Sequence, residues 1–153
     1  MEAAIAEARR AAEKGQYALG AVVVTGAKIV AIAHTNLHET NDPSAHAEMN
    51  AIRKAADAAG SRYLEGAWLY TTQEPCPMCT SVAIWAKMEG IVFGAFEKDA
   101  LDFAKARSGS GKFSWRQIEI PTRDVIAKGM PKLKLVEGFL REECLKLHEL
   151  GQK

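Results

Sequence analysis

The chain has 153 residues, of which 20 are Lys or Arg and 19 are Asp or Glu, so its formal net charge is only +1. This balance argues against broad non-specific binding to nucleic acid, which usually needs a strongly basic domain, and the length suits one domain. Residues 1–15 mix acids with bases and lack the apolar run of a signal peptide, and no stretch is long enough to cross a bilayer. We therefore expect a single cytoplasmic domain over residues 1–153.

The first 35 residues predict a helix followed by a hairpin. Residues 1–14 have the apolar spacing of a helix that stops at Gly15. Two β-rich runs, 19–25 and 28–35, flank the turn dipeptide Gly26-Ala27. Runs of this kind around a short glycine turn indicate two antiparallel strands.

The middle of the chain alternates predicted helices with strands. A helix is expected to open at Asp42-Pro43, because Asp can cap a helix and Pro is tolerated at its first position, and to end before Gly60. Three elements follow: a strand over 67–72, a helix over 75–89 and a strand over 91–96.

The last third is less regular in its pattern. Residues 102–132 are polar and basic, with possible short elements at 118–121 and 124–128, and are followed by a strand over 133–136 and a helix over 139–150. The whole order, an opening helix and hairpin and then alternating helices and strands, predicts an α/β fold with a mixed sheet packed between helices.

Two short motifs contain the residues with metal-binding chemistry, His46-Ala47-Glu48 and Pro75-Cys76-Pro77-Met78-Cys79. One imidazole and two thiolates make a tetrahedral zinc site with three protein ligands and a fourth position for water, which is typical of a catalytic zinc. Each motif also opens a predicted helix, whose amino-terminal positive charge favours the thiolate that binds metal. We therefore predict one Zn²⁺ per chain, bound by His46, Cys76 and Cys79.

Glu48 lies two residues after His46, which makes it a poor fourth ligand for the same ion. Its carboxylate is therefore interpreted as a proton shuttle, which carries a proton from the attacking water to a ring nitrogen and later to the departing amine. Zinc complements this role, because it lowers the pKa of a bound water to about 7. The motifs together predict a catalytic centre.

Other interpretations of these residues stay open. A CxxC pair can be a redox pair or part of a structural zinc site, whose fourth ligand could be Cys144, His34, His38 or His148. Cys144 is more typical of a small buried hydrophobe. A non-catalytic, zinc-stabilised interaction module is a further alternative. Such a module has no use for an uncoordinated carboxylate beside its ligand, and we therefore favour an enzyme.

Residues 19–96 resemble the cytidine and deoxycytidylate deaminase-like superfamily, in the branch with guanine deaminase, fungal-type cytosine deaminase and bacterial tRNA adenosine deaminase. The resemblance implies a three-layer α-β-α sandwich with a mixed five-stranded sheet, a homodimer, and hydrolytic removal of an exocyclic amino group from a nucleobase. It makes His46, Cys76 and Cys79 the ligands and Glu48 the shuttle. Four segments carry it: LGAVVV (19–24), NDPSAHAEMNAIRKA (41–55), LYTTQEPCPMC (69–79) and IVFGA (91–95).

The resemblance also implies substrate contacts. Backbone groups at Ala47 are expected to hold the base or the leaving oxygen. An Asn at the end of the second strand commonly touches the substrate, and Asn36 is the candidate, although Thr35 occupies the expected position. Phe113 and Trp115 match aromatics of guanine deaminase and are predicted to stack on the bound base.

The substrate is predicted first as a small free base or nucleoside with a guanine- or cytosine-type ring. The acidic pair that precedes the aromatics in guanine deaminase is replaced here by Gly111-Lys112. Deamination of adenosine in tRNA is the alternative, because residues 105–134 form a run with eight Lys or Arg and only two acids, which could contact phosphate. Such a run is more often a solvated surface, and RNA is therefore the less favoured partner.

Overall fold

The structure is a computed structural model that describes residues 1–107 and 118–150. Five strands and a set of short and medium helices alternate along these residues. In chain order they are α1 (Glu2–Glu13), β1 (Gly20–Thr25), β2 (Lys28–His34), α2 (Leu37–Thr40), α3 (Ala47–Ala59), β3 (Ala67–Gln73), α4 (Pro77–Trp85), β4 (Gly90–Ala95), α5 (Glu97–Arg107), α6 (Thr122–Lys128), β5 (Lys134–Val136), α7 (Arg141–Leu145) and a 3₁₀ turn (Lys146–Glu149).

The strands form one mixed sheet in the order β2-β1-β3-β4-β5. Strand β1 pairs antiparallel with both β2 and β3, whereas β3, β4 and β5 are mutually parallel. The predicted hairpin is confirmed, and its turn contains Gly26 with a positive φ of 60°. Because β2 and β3 both run opposite to β1, the strands β2 to β5 all end at the same edge of the sheet.

Helices cover both faces of the sheet. On one face, a core of mostly aliphatic side chains joins the sheet to α3, α4 and α6; it includes Val23, Leu69 and Ile84. On the other face, α1 and α7 pack close to the strands. A side chain at Gly20 would overlap the backbone of α1, and one at Gly94 would overlap Cys144 of α7. The predicted α-β-α sandwich is therefore confirmed. None of the helices in the described residues has the length and apolar character needed to span a bilayer.

The helix expected from Asp42-Pro43 begins later, at Ala47. The Asp42 carboxylate accepts hydrogen bonds from the backbone N–H of Ser44 at 2.8 Å and from its hydroxyl at 2.7 Å. This local turn competes with helix formation, as Asp side chains commonly do. His46 is therefore the N-cap of α3, with extended φ and ψ of −71° and 155°, and does not lie in the first helical turn.

Residues 102–107, predicted to be irregular, belong to helix α5. Asp99 accepts a hydrogen bond from the Phe96 backbone N–H at 2.8 Å, and Ala100 and Ala104 bury one face of the helix. Acids in the first turn and bases in the last were the overlooked sequence signal. The short element at 124–128 is confirmed within α6, but none forms over 118–121.

Helix α4 and the last helix are both shorter than predicted. Helix α4 starts at Pro77, because Cys76 is extended, and a left-handed Lys87 (φ 54°) follows its C-cap. The last helix starts only after the left-handed Leu140 (φ 55°), and its second half is a 3₁₀ turn. The four-residue helix α2 was not predicted.

Candidate metal centre

Two of the three predicted ligands occupy matching positions in the fold. His46 is the N-cap of α3 and Cys76 is the N-cap of α4, both with extended backbone. Cys79 lies in the first turn of α4 and is fully buried. Since α3 follows β2 and α4 follows β3, the two helices begin at the same edge of the sheet. The topology therefore brings residues 30 positions apart in sequence to one point.

The distances among the three side chains fit a tetrahedral ion. The two sulfurs are 3.7 Å apart, and Nδ1 of His46 lies 3.8 Å from Cys76 Sγ and 3.6 Å from Cys79 Sγ. Zinc–sulfur bonds of about 2.3 Å and zinc–nitrogen bonds of about 2.0–2.1 Å imply edges of about 3.8 Å and about 3.6 Å in a tetrahedron. His46, Cys76 and Cys79 thus fit zinc in both chemistry and spacing.

The environment of the sulfurs favours one thiolate. The hydrogen bond between the two thiols lowers the pKa of Cys76 to about 4, with a further contribution from His46. The same bond raises the pKa of Cys79, and burial adds to that rise. The interaction with Cys76 in turn raises the pKa of the His46 imidazole. An anionic sulfur beside an imidazole is the ligand chemistry that zinc prefers.

Glu48 lies against the three candidate ligands and is only 6% exposed. Its Oε1 accepts a hydrogen bond from the Thr71 hydroxyl at 2.7 Å, and its Oε2 lies 3.6 Å from Cys79 Sγ. Burial raises the pKa of the Glu48 carboxyl above its usual range. One oxygen is thus fixed by Thr71 and the other points towards the metal centre, which suits a group that takes up and returns a proton.

Thr71 was not predicted as part of the centre, although a signal for it existed. Side chains alternate between the faces of a strand, so Thr71 shares a face with Ala67 and Leu69, both in the core beneath α3. The Thr71 hydroxyl, which follows Ala67 and Leu69 on this face of β3, points towards the start of α3. There it reaches Glu48.

Asn36 lies two residues after β2, at the N-cap of α2, and its side chain is hydrogen-bonded to a neighbouring amide side chain. Its Oδ1 accepts a hydrogen bond from Nδ2 of Asn50 at 2.8 Å. Thr35 is buried and donates its hydroxyl to the carbonyl of Ala45 at 3.2 Å. Ala47 is the first residue of α3, beside the metal centre. Substrate contact by Asn36 and Ala47 stays a prediction.

The other histidines and the third cysteine lie elsewhere. His34 bonds Glu7 of α1 at 2.6 Å, His38 packs on Tyr17, and His148 bonds Gln73 at 2.8 Å. Cys144 is buried on the opposite face of the sheet. Within residues 1–107 and 118–150, none of them joins the metal centre. Phe113 and Trp115 lie outside the described residues, so their stacking role stays a prediction.

Three carboxylates on segments next to Cys76 were not predicted from the sequence. Burial, together with the nearby charges of Glu74 and Glu119, raises the pKa of Glu97 to about 7, and Cys76 contributes as well. Glu74 lies two residues before Cys76 and accepts a hydrogen bond from the backbone N–H of Glu97 at 3.0 Å, which brings the start of α5 next to the metal centre. We call Glu74, Glu97 and Glu119 the acidic rim.

Comparison with known proteins decides the family. Residues 1–95 match the sequence model of the cytidine and deoxycytidylate deaminase zinc-binding region. The chain belongs to this family. Membership in a zinc-binding family of deaminases confirms zinc as the expected cofactor, and it agrees with the donor set of the metal centre.

Curated members of this family share extensive sequence with the chain. The tRNA-specific adenosine deaminase of Bacillus subtilis is 51% identical over 98 residues, which cover 63% of this chain and 60% of the relative. The enzyme of the same name from Aquifex aeolicus is 42% identical over 98 residues, or 64% and 65% of the two chains. Guanine deaminase of Bacillus subtilis is 38% identical over 106 residues, or 69% and 65%. The chain thus spans less than two thirds of each relative.

Solved structures extend the similarity to nearly the whole chain. A structure from a study of A-to-I editing by tRNA:A34 deaminases at the wobble position of transfer RNA superposes with a TM-score of 0.72, at 30% identity over 96% of both chains. Guanine deaminase from Bacillus subtilis superposes with a TM-score of 0.64, at 31% identity over 78% of this chain and 83% of that one. These neighbours confirm the deaminase fold.

Proposed function

We propose that the protein is a zinc-dependent hydrolase that deaminates adenosine in transfer RNA. The observation that carries this proposal is the match, over 96% of both chains and at 30% identity, to a structure described for tRNA:A34 deaminases. Relatives named tRNA-specific adenosine deaminase support it. The proposal replaces the small free base as first choice, which the sequence motifs alone had favoured.

The geometry of the metal centre supports a hydrolytic deaminase. His46, Cys76 and Cys79 would hold the ion, which supplies an activated water when bound. Glu48 would carry protons on Oε2, the oxygen that lies 3.6 Å from Cys79 Sγ, while Thr71 holds Oε1 in place. A buried carboxylate held in this way beside the ligands argues against a non-catalytic zinc module.

Guanine deamination is the second candidate. Guanine deaminase of Bacillus subtilis is 38% identical to this chain, and its structure shares 31% identity over most of both chains. Carboxylates can accept hydrogen bonds from ring amino groups, and Glu97, whose backbone N–H bonds Glu74 two residues before Cys76, is the candidate for that contact. A free base also needs no phosphate-binding surface.

Within the described residues, the basic run does not form one surface at the metal centre. Lys134 starts β5 opposite Gly90, at the edge of the sheet remote from the metal centre, and forms an ion pair with Glu89 at 2.5 Å. Lys132 donates to the carbonyls of Ile126 and Ala127. The proposed RNA contact is therefore assigned to the side of the molecule that carries the metal centre, and not to residues 105–134 as a whole.

The test compares an RNA substrate with small free bases and a nucleoside. The zinc-loaded protein and its Glu48→Gln variant would be incubated with a tRNA anticodon stem-loop carrying adenosine at the wobble position, and separately with guanine, cytosine and adenosine. Inosine in digested RNA and released ammonia would be measured. We expect inosine in the stem-loop, only with the unaltered protein and with a steep fall as salt rises. Xanthine from guanine without inosine would favour the second candidate, and no product from any substrate would refute both.

Three further features are proposed for the whole protein: one domain over residues 1–153, a homodimer and a cytoplasmic location. The family resemblance supports the dimer. An RNA substrate is compatible with the proposed compartment.

A further inference from the structure

One carboxylate beside the metal centre binds two separate segments of the chain. Oε2 of Glu74 accepts a hydrogen bond from the backbone N–H of Glu97 at 3.0 Å, and Oε1 accepts one from the backbone N–H of Thr122 at 3.0 Å. Glu74 is 9% exposed. A buried carboxylate that accepts main-chain N–H groups makes strong, charge-assisted bonds.

One of these segments, the start of α6, is also bound to the chain next to Cys76. The Pro75 carbonyl, one residue before Cys76, accepts hydrogen bonds from the Thr122 hydroxyl at 2.9 Å and from the Thr80 hydroxyl at 3.3 Å. Thr122 therefore bonds the two residues before Cys76, through its backbone N–H to Glu74 and through its side chain to Pro75. It is fully buried.

The two amides bound by Glu74 lie at the starts of two helices. Glu97 opens α5 directly after β4, and Thr122 opens α6. Both helix starts are therefore held next to the segment that carries Cys76.

We propose that Glu74 is a positioning residue that fixes the start of α5 and the start of α6 relative to the metal centre, and that this coupling determines substrate binding without contributing to metal binding. Glu74 acts through backbone amides and does not touch the reacting atoms. The effect on substrate binding rests on the proposed function, whereas the effect on the two amides does not.

Hydrogen exchange, followed by mass spectrometry on the zinc-loaded protein, tests the structural part. Glu74→Ala should accelerate exchange of peptides containing the Glu97 and Thr122 amides by roughly ten-fold or more, while zinc stays at about one per chain. Glu74→Gln keeps one acceptor oxygen, so it should release one of the two amides. It also serves as the readout if Glu74→Ala does not fold. Glu89→Gln, a carboxylate at the opposite edge of the sheet, is the matched control and should change neither amide.

Steady-state kinetics test the functional part on whichever substrate the unaltered protein deaminates. Both Glu74 variants should raise KM about ten-fold and change kcat by less than about three-fold, because the amides lose their fixed positions but Glu48 does not. Unchanged exchange, loss of zinc, or a fall in kcat at constant KM would each overturn the proposal. Absence of turnover in the unaltered protein would instead refute the proposed function, and exchange would still decide the role of Glu74.

Discussion

Glu48 is held by neighbours that lie far from it along the chain. Its oxygens meet Thr71 and Cys79, which are 23 and 31 positions away. Local motifs identified Glu48 and the candidate ligands, because the spacing of His46, Cys76 and Cys79 within two short segments already specifies the donor set. Thr71 and the acidic rim could not be identified in the same way, since their proximity depends on how β3, β4 and α6 assemble.

Glu48→Gln should separate catalysis from metal binding. The amide keeps the size of the side chain and can accept the Thr71 hydrogen bond, but it cannot take up a proton. Turnover should fall by roughly 10² to 10⁴-fold, while zinc remains at about one per chain. Metal content by atomic absorption and ammonia release check both statements. Loss of zinc in this variant would mean that Glu48 is a ligand or supports one.

The three cysteines provide an internal comparison for the ligand assignment. Cys76→Ala and Cys79→Ala should each lose bound zinc and activity, because each removes a predicted ligand. Cys144→Ala should retain both, since Cys144 lies on the opposite face of the sheet in contact with Gly94. Zinc stoichiometry after gel filtration is the measurement. A stoichiometry of about one zinc per chain in either Cys76→Ala or Cys79→Ala would contradict the assignment.

At the scale of elements, types were predicted more reliably than boundaries. The alternation of helices and strands is carried by apolar periodicity, which the sequence displays directly. Boundaries depend on competing local hydrogen bonds, such as the Asp42–Ser44 turn that delays α3. The unpredicted α5 buries only small alanine side chains, Ala100 and Ala104, and so has a weak apolar pattern.

The carboxyl-terminal 3₁₀ turn connects to β3 through a titratable side chain. His148 Nε2 lies 2.8 Å from Oε1 of Gln73, whose Nε2 donates to the Phe96 carbonyl at 2.8 Å. Burial lowers the pKa of His148 below its ordinary 6.5, with Asp99 opposing this effect, and the ring also packs on Phe103. The folded protein therefore disfavours the protonated ring, whereas the unfolded chain accepts the proton.

The lower pKa of His148 in the folded protein predicts that the protein loses stability as the pH becomes acidic. Below about pH 6.5 the unfolded state binds the proton more readily, so stability present above that pH falls as the pH drops. His148→Gln cannot titrate and can still donate to Gln73. Its melting temperature should fall less than that of the unaltered protein between about pH 7.5 and about pH 5.5. Other groups titrate in both proteins, so only the difference is assigned to His148, and equal falls would contradict the prediction.

At the scale of the whole molecule, the α-β-α layering was predictable but the strand order was not. Most of the strands and the longer helices have an apolar face that must be buried, which leads to layers. The order β2-β1-β3-β4-β5 places β1 between its hairpin partner and a strand more than 40 residues later. Pairing over such a separation leaves no local signal.

The predicted homodimer can be tested on an exposed apolar surface. Trp85 at the end of α4 is 73% exposed and Met130 after α6 is 78% exposed, and α4 packs against α6. Exposed apolar side chains of this size are typical of interfaces. Trp85→Ser should shift the protein from dimer to monomer in light scattering, whereas Ile29→Ser on the edge strand should not. A Trp85→Ser dimer would place the interface elsewhere, and a monomeric unaltered protein would refute the dimer itself.

The distance between the first two ligands along the chain has a consequence for folding. An ion bound to both His46 and Cys76 closes a loop of 30 residues that contains the whole of β3. Like a crosslink, the bound ion lowers the conformational entropy of this loop. In addition, binding to the folded state stabilises that state by mass action when the free zinc concentration exceeds the dissociation constant. The unfolding temperature should therefore rise with zinc concentration and fall with a chelator, even in the inactive Glu48→Gln protein. The ion that supports the reaction would then also act as a reversible crosslink between the starts of two helices.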